Sequence, residues 1–341
     1  MKRILLMAAL SFSASMLAQE KPAERPATPA ENQPPKKKTL SDKSDEARKA
    51  RLDEEALMPS LSRSPTGYVE DAAVGNEIRL RFDAGWNINS SDRAGFYYAQ
   101  CTFGCHPATF AKPVLANLRY QEIHVNVEHA LSRRISLFID GSGRGIQPNG
   151  GVVSPTLTSL PSLLLDSHNG AGDTQAGLKL APIASPSGYL TFQFRSYLPT
   201  GNAKHGLGTD HYSIEPSVLF TRKITSEIAL SGQFSAWHPL GGLAVSGDVL
   251  TYGAGANYQF RIRDNLRVSP VVEFVGWRVL SGLVSSASEP DPTSAVATIV
   301  NGKIGARIQG RNNSFYAGFG RQLSHVGWYR DLLRVEYSYY F

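Results

Sequence analysis

The chain has 341 residues, of which 42% are hydrophobic and 19% charged, with 31 glycines, two cysteines and a net charge of +6. After residue 18 no stretch offers the roughly 18 continuous apolar residues that a membrane-spanning helix needs. The positive charge is no argument for a nucleic-acid partner, because the first residues mark the chain for export, away from the cytoplasm.

Met1-Lys2-Arg3 is followed by an apolar run from Ile4 to Leu10 and small or apolar residues to Ala18. A basic start, a short apolar core and small residues near a cut site describe a secretory signal peptide. Residues 1–18 are therefore expected to be removed, leaving Gln19 first. Residues 19–74 read as a periplasmic linker. Positions 20–38 are rich in Pro, Ala, Glu and Lys and cannot build a core. Positions 41–58 are charged, with too thin an apolar face for a stable isolated helix. Such a segment is a solvated tether, or else it contacts peptidoglycan or another envelope component.

From Asn76 the pattern has period two. Ile78, Leu80, Phe82, Ala84, Trp86 and Ile88 alternate with Glu77, Arg79, Arg81 and Asp83. Successive strand side chains point to opposite faces, so one face is apolar and the other charged. Eleven further segments follow the same rule: 123–127, 135–139, 176–180, 190–198, 212–220, 228–236, 250–260, 266–274, 304–308, 315–319 and 333–341. The gaps alternate in length. Long ones fall at about 89–117, 141–172, 199–209, 238–248, 281–297 and 322–330, and short ones lie between. Outer-membrane barrels have long external loops and short periplasmic turns. Residues 75–341 are thus expected to form an all-β, antiparallel transmembrane barrel of about 12 strands, monomeric, in the outer membrane of a Gram-negative bacterium. The last strand carries Tyr337, Tyr339 and Phe341 on one face, which resembles the terminal signal read by the barrel assembly machinery.

Cys101 and Cys105 are close in sequence, and an exported chain meets an oxidising compartment, so a disulfide is expected in the first long loop. A metal site with His106 as third ligand lacks a convincing fourth. Gly141-Ser-Gly-Arg-Gly145 leaves a strand and opens no helix, so it lacks the context of a phosphate cradle and reads as an external loop. Asp166, His168 and Asp173 are too irregularly spaced for a recognisable Ca²⁺ loop. Ser235 and His238 are three apart and point to opposite faces of a strand, and Ser324 and His325 diverge if extended. No catalytic residue, cofactor or metal follows from these motifs.

With the apolar face toward lipid, the inward set includes Arg81, Glu122, His124, Glu128, Lys179, Arg195, Glu215, Glu273 and Arg307, with Arg79, Asp83, Glu227, Arg267 and Lys303. Paired, these charges would brace a narrow lumen; unpaired, they would line a polar route. Twelve strands lie between the filled eight-stranded barrels and the open porins.

Gly172-Asp173, Leu178-Lys179-Leu180, Leu198-Pro199-Thr200-Gly201, Gly206-Leu207-Gly208-Thr209 and Glu215-Pro216 together resemble the outer-membrane family named for the meta-pathway of phenol degradation. The match covers about residues 172–220. It implies a barrel that passes a small, hydrophobic or aromatic molecule. The favoured expectation is therefore a passive channel. A structural or adhesive envelope barrel without transport and a lipid-modifying barrel enzyme are the alternatives.

Overall fold

A computed structural model of the protein describes residues 63–88, 118–148, 167–240, 247–281, 298–324 and 329–341. The expected signal peptide and linker up to residue 62, the Cys101–Cys105 pair with its expected disulfide, Asp166 and His325 lie outside the described residues.

The strands are β1 (Glu77–Ile88), β2 (Leu118–Ser132), β3 (Ile135–Pro148), β4 in two pieces (His168–Ala171 and Thr174–Ser185), β5 (Gly188–Leu198), β6 (Tyr212–Lys223), β7 (Ile228–Leu240), β8 in two pieces (Val249–Tyr258 and Phe260–Arg263), β9 (Leu266–Val279), β10 (Thr298–Gln309), β11 (Asn313–Gln322) and β12 (Asp331–Tyr340). Each pairs antiparallel with its sequence neighbours, and β12 returns to β1 with Glu77 opposite Tyr340 and Trp86 opposite Asp331. The result is a closed twelve-stranded barrel with no free sheet edge. The turns of two to four residues at 133–134, 186–187, 224–227, 264–265 and 310–312 lie at one end, with Glu77 and Tyr340. The strand ends joined by the long connections lie at the other. These are called the turn end and the loop end below.

The period-two pattern has a direct physical origin. Outward residues such as Ile78, Leu80, Ile123, Val125, Phe192, Phe274 and Ile304 are exposed, while their strand neighbours Asp83, Glu122, Glu128 and Glu273 are buried. An exposed apolar belt around a polar interior is the arrangement lipid requires, inverted from that of a water-soluble domain. Tyr337, Tyr339 and Phe341 all lie on the outward face, and the rings of Tyr339 and Phe341 are stacked.

Two expectations are corrected. Gly141–Gly145 is not an external loop but the continuation of β3, which runs to Pro148. The alternation persists there with glycine on the outward face, while Arg144 and Ile146 are buried inside. A glycine face carries no apolar signal, so the strand is invisible to a search for hydrophobic alternation. Residues 63–74, assigned by composition to the solvated tether, are instead folded into the lumen. Arg63, Ser64, Thr66, Tyr68, Val69, Ala72 and Ala73 are all buried.

Candidate functional site

The lumen is built from the inward positions of the strands and filled in part by a hairpin of residues 63–76. The hairpin begins at the turn end, where Arg63 lies over the Tyr340 ring, 5.5 Å from its centre, and 3.6 Å from Glu77. It rises to Tyr68, whose hydroxyl donates to the carbonyls of Gly318 (3.1 Å) and Leu332 (3.4 Å) near the loop end. It then descends, and the Gly75 N–H donates to Glu128 at 3.1 Å just before β1 begins. At the tip, a side chain on Gly67 would collide with the Tyr316 ring, so only glycine lets the backbone approach that closely.

The tip is held by charge. The Glu273 carboxylate accepts the N–H groups of Gly67, Tyr68 and Val69 at 2.8–2.9 Å, and the Tyr316 hydroxyl at 3.2 Å. Opposite charge serves the carbonyls. Arg307 donates to Pro65 O (3.1 Å) and Thr66 O (2.8 Å) and also binds Glu336 at 2.6 Å. Arg334 donates to Gly67 O (2.6 Å) while forming a two-pronged pair with Asp83 at 2.7 Å on each prong. Tyr68 is sandwiched between cations: Lys303 Nζ lies 3.8 Å and the Arg334 guanidinium 4.4 Å from its ring centre.

The descending arm is fixed in the same way. Glu70 pairs with Arg195 (2.6 Å) and accepts from Gln193 (2.7 Å), and its own N–H donates to Gln233 (2.6 Å). Burial opposes ionisation of Glu70. The Arg195 guanidinium and the Gln193 hydrogen bond nevertheless hold its carboxyl down at about 2. Lys179 donates to Asp71 O (3.1 Å) and to Glu128 (2.9 Å), and Thr191 donates to Ala72 O. A loop carrying unpaired backbone groups would be costly in a lumen. Here the barrel wall supplies the missing partners.

The inward charges read from sequence thus meet in the lumen, several of them on the hairpin. Glu128, Lys179, Arg195, Glu273 and Arg307 contact it directly. Glu215 braces Arg195, Tyr197 and Ser235. Glu122 pairs with Arg144, and His124 lies between Asp140 (2.7 Å) and Glu122 (3.2 Å). Arg81 faces the lumen beside Asp83, at 3.6 Å. Glu227 does not belong to the set: it is exposed in the 224–227 turn. Arg334, Glu336, Asp140 and Arg144 were missed. The first two alternate with Leu333, Val335 and Tyr337 and were legible as inward positions; the other two sit in the glycine-faced part of β3 and just before it. The hairpin residues Arg63, Tyr68 and Glu70 gave no signal, because their polar and small neighbours read as linker.

Beside the hairpin a cavity of about 250 Å³ remains. Its lining runs from Tyr329, Leu332 and Trp277 at the loop end, past Tyr197 and Trp237, to Arg79, Glu77 and Glu128 at the turn end. Charged and aromatic residues share it.

The residues that carry the family resemblance come together at the loop end. The Asp173 carboxylate accepts the N–H groups of Gly201 (2.9 Å) and Thr209 (2.8 Å) and the Thr209 hydroxyl (2.7 Å). Thr200 donates to Gly172 O at 3.1 Å. Gly201 and Gly208 touch backbone to backbone, which any side chain there would prevent. The motif is a clasp that folds segment 199–211 back onto β4. It occupies the Asp173 carboxylate, which was weighed for Ca²⁺. The serines have structural partners too. Ser235 donates to Glu215 at 2.6 Å, exposed His238 pairs with Asp248 instead, and Ser324 is bonded to Val300.

No protein-family model matches this sequence, and no curated protein matches it. Among solved structures, the chain is similar to the COG4313 outer membrane channel from Pseudomonas putida F1. The identity is 14% and the TM-score 0.53, over 82% of this chain and 100% of that one. It is also similar to the KdgM porin (9% identity, TM-score 0.38, 78% and 99% covered) and to LpxR from Salmonella typhimurium (13%, TM-score 0.41, 77% and 100% covered). The first likeness is one of fold, and the two weaker ones carry no argument. In fold, the protein is a closed, antiparallel twelve-stranded β-barrel similar to that of an outer membrane channel.

Proposed function

We propose that this protein is a passive outer-membrane channel for a small solute, with the 63–76 hairpin setting the width of its lumen. The observation that carries the reading is the cavity beside the hairpin, whose lining extends from the loop end to the turn end. The likeness in fold to an outer membrane channel agrees with it, as does the motif resemblance around residues 172–220. The lining argues about the solute. Charged side chains dominate its lower part, so a polar or charged molecule is favoured over the hydrophobic one that the resemblance implies. The aromatic residues at the loop end would take the flat or apolar part of such a molecule.

In this reading residues 1–18 are the signal peptide, the linker 19–62 tethers the hairpin on the periplasmic side, the barrel acts as a monomer, and no catalytic step is involved. The test is single-channel conductance in planar bilayers of the full chain and of a chain lacking residues 65–73. The expected outcome is a small conductance for the full chain and one several times larger without the hairpin tip. No ion or solute flux through either would overturn the channel. The many bonds to the hairpin favour a second reading, a closed structural barrel, and that result would select it.

A further inference from the structure

Most lumen charges have a hydrogen-bonded partner; Arg81 on β1 is one that does not. Among the described residues, the Arg81 guanidinium makes no hydrogen bond to the protein; the one carboxylate within 4 Å is Asp83, at 3.6 Å, and Asp140 lies farther off. Arg79, two residues away on the same face of β1, is paired with Glu77 at 3.3 Å and Glu336 at 4.0 Å. Asn126, opposite Arg79 on β2, has a buried side-chain oxygen with no protein partner. All three line the cavity.

The carboxylates around Arg81 are spoken for by other cations. Asp83 is held by both prongs of Arg334, Glu336 by Arg307 at 2.6 Å, and Glu122 by Arg144 and His124. Arg81 thus lines the cavity without a carboxylate in hydrogen-bond reach of its own. A guanidinium fork matches the planar, bidentate geometry of an oxyanion, and the adjacent Arg79 adds a second positive charge. We infer that Arg81, flanked by Arg79 and Asn126, is a binding site for a small oxyanion, a carboxylate or phosphate. The inference rests on the channel reading for the route by which the anion arrives and leaves, but not for the binding itself.

The test uses the full chain folded in detergent, with inorganic phosphate and acetate titrated separately by calorimetry at low ionic strength. Saturable binding of at least one is expected, weakened about tenfold or more in Arg81→Gln, as loss of a charge-assisted contact requires. Arg81→Lys, which keeps the charge but not the fork, weakens binding less than Arg81→Gln, and Arg321→Gln, exposed at the loop end, leaves it unchanged. Heat-modifiable migration on gels identifies any variant that fails to fold. Asn126→Asp, which sets a carboxylate beside the cations, is the second variant and also weakens binding. The anion that binds distinguishes carboxylate from phosphate chemistry. Absence of saturable binding, or equal affinity in wild type and Arg81→Gln, overturns the site. In bilayers under a KCl gradient, Arg81→Gln shifts the reversal potential toward cation preference. A barrel that binds phosphate through Arg81 yet passes no ions keeps the site and overturns the channel.

Discussion

Glu273 and Tyr68 stand 205 residues apart in the chain, yet the Glu273 carboxylate accepts the Tyr68 N–H at 2.8 Å. The N–H groups on either side of Tyr68 point at the same carboxylate. One side chain on β9 thus holds the turn of the hairpin. Replacing it with alanine strands up to three buried donors. Each stranded group costs about 1–3 kcal/mol. Glu273→Ala is expected to free the hairpin while leaving the strands paired. Trypsin should then cut after Arg63, which is buried in the native protein, whereas the wild type resists at that bond.

Arg334 joins the hairpin to the wall through Asp83. Removing either partner of a buried pair leaves an uncompensated charge, at about 3–5 kcal/mol. Arg334→Gln and Asp83→Asn should therefore each lower the temperature at which the barrel loses its folded migration on gels. The double variant should lose less than the sum of the two, because neither charge is then stranded.

Acid should act on the descending arm. The Glu70 carboxyl is depressed from an ordinary 4.5 to about 2, so its pairing with Arg195 stabilises the hairpin fully above pH 4.5. That contribution is lost as the pH falls through about 2. In the proposed channel, current is expected to rise as the pH is lowered across this window. In Glu70→Gln the rise should be smaller, since the carboxylate is already absent. An identical pH profile in the two proteins would contradict this role for Glu70.

Asp173 folds segment 199–211 onto β4 through three hydrogen bonds. Asp173→Ala should release that segment without disturbing the lumen charges. Limited proteolysis should then cleave between residues 199 and 211 much faster than in wild type, with little change in the stability of the barrel.

The barrel was legible in the sequence because lipid and lumen impose opposite chemistry on alternate residues. Ile78 and Arg79, Ile123 and His124, and Leu178 and Lys179 each record the two sides within two positions. All twelve strands and the alternation of loops and turns follow from that rule, except where glycines at 141, 143 and 145 replace the apolar face. The hairpin was not legible. Its partners Glu273, Arg307 and Arg334 are polar, so the segment that fits them is polar too, and the sequence Ser64-Pro65-Thr66-Gly67 has the composition of a linker. Its contacts are set by residues far along the chain, and local pattern carries no record of them. The pairing of the inward charges was equally out of reach: parity places Arg81 and Arg195 inside but does not say which of them finds a carboxylate.

The bonds that seat the hairpin have a consequence for how the molecule is made. Arg307 and Arg334 reach hairpin carbonyls across sequence separations of 241 and 267 residues. The hairpin is translated before every strand, and these anchors come almost last. Contacts of such high order form slowly, because the intervening loop must close first. Closing the β1–β12 seam sets Arg334 beside Asp83 under the hairpin tip, so zipping that seam and locking the tip belong to the same late step of assembly. A nascent barrel open at that seam would hold its interior loosely.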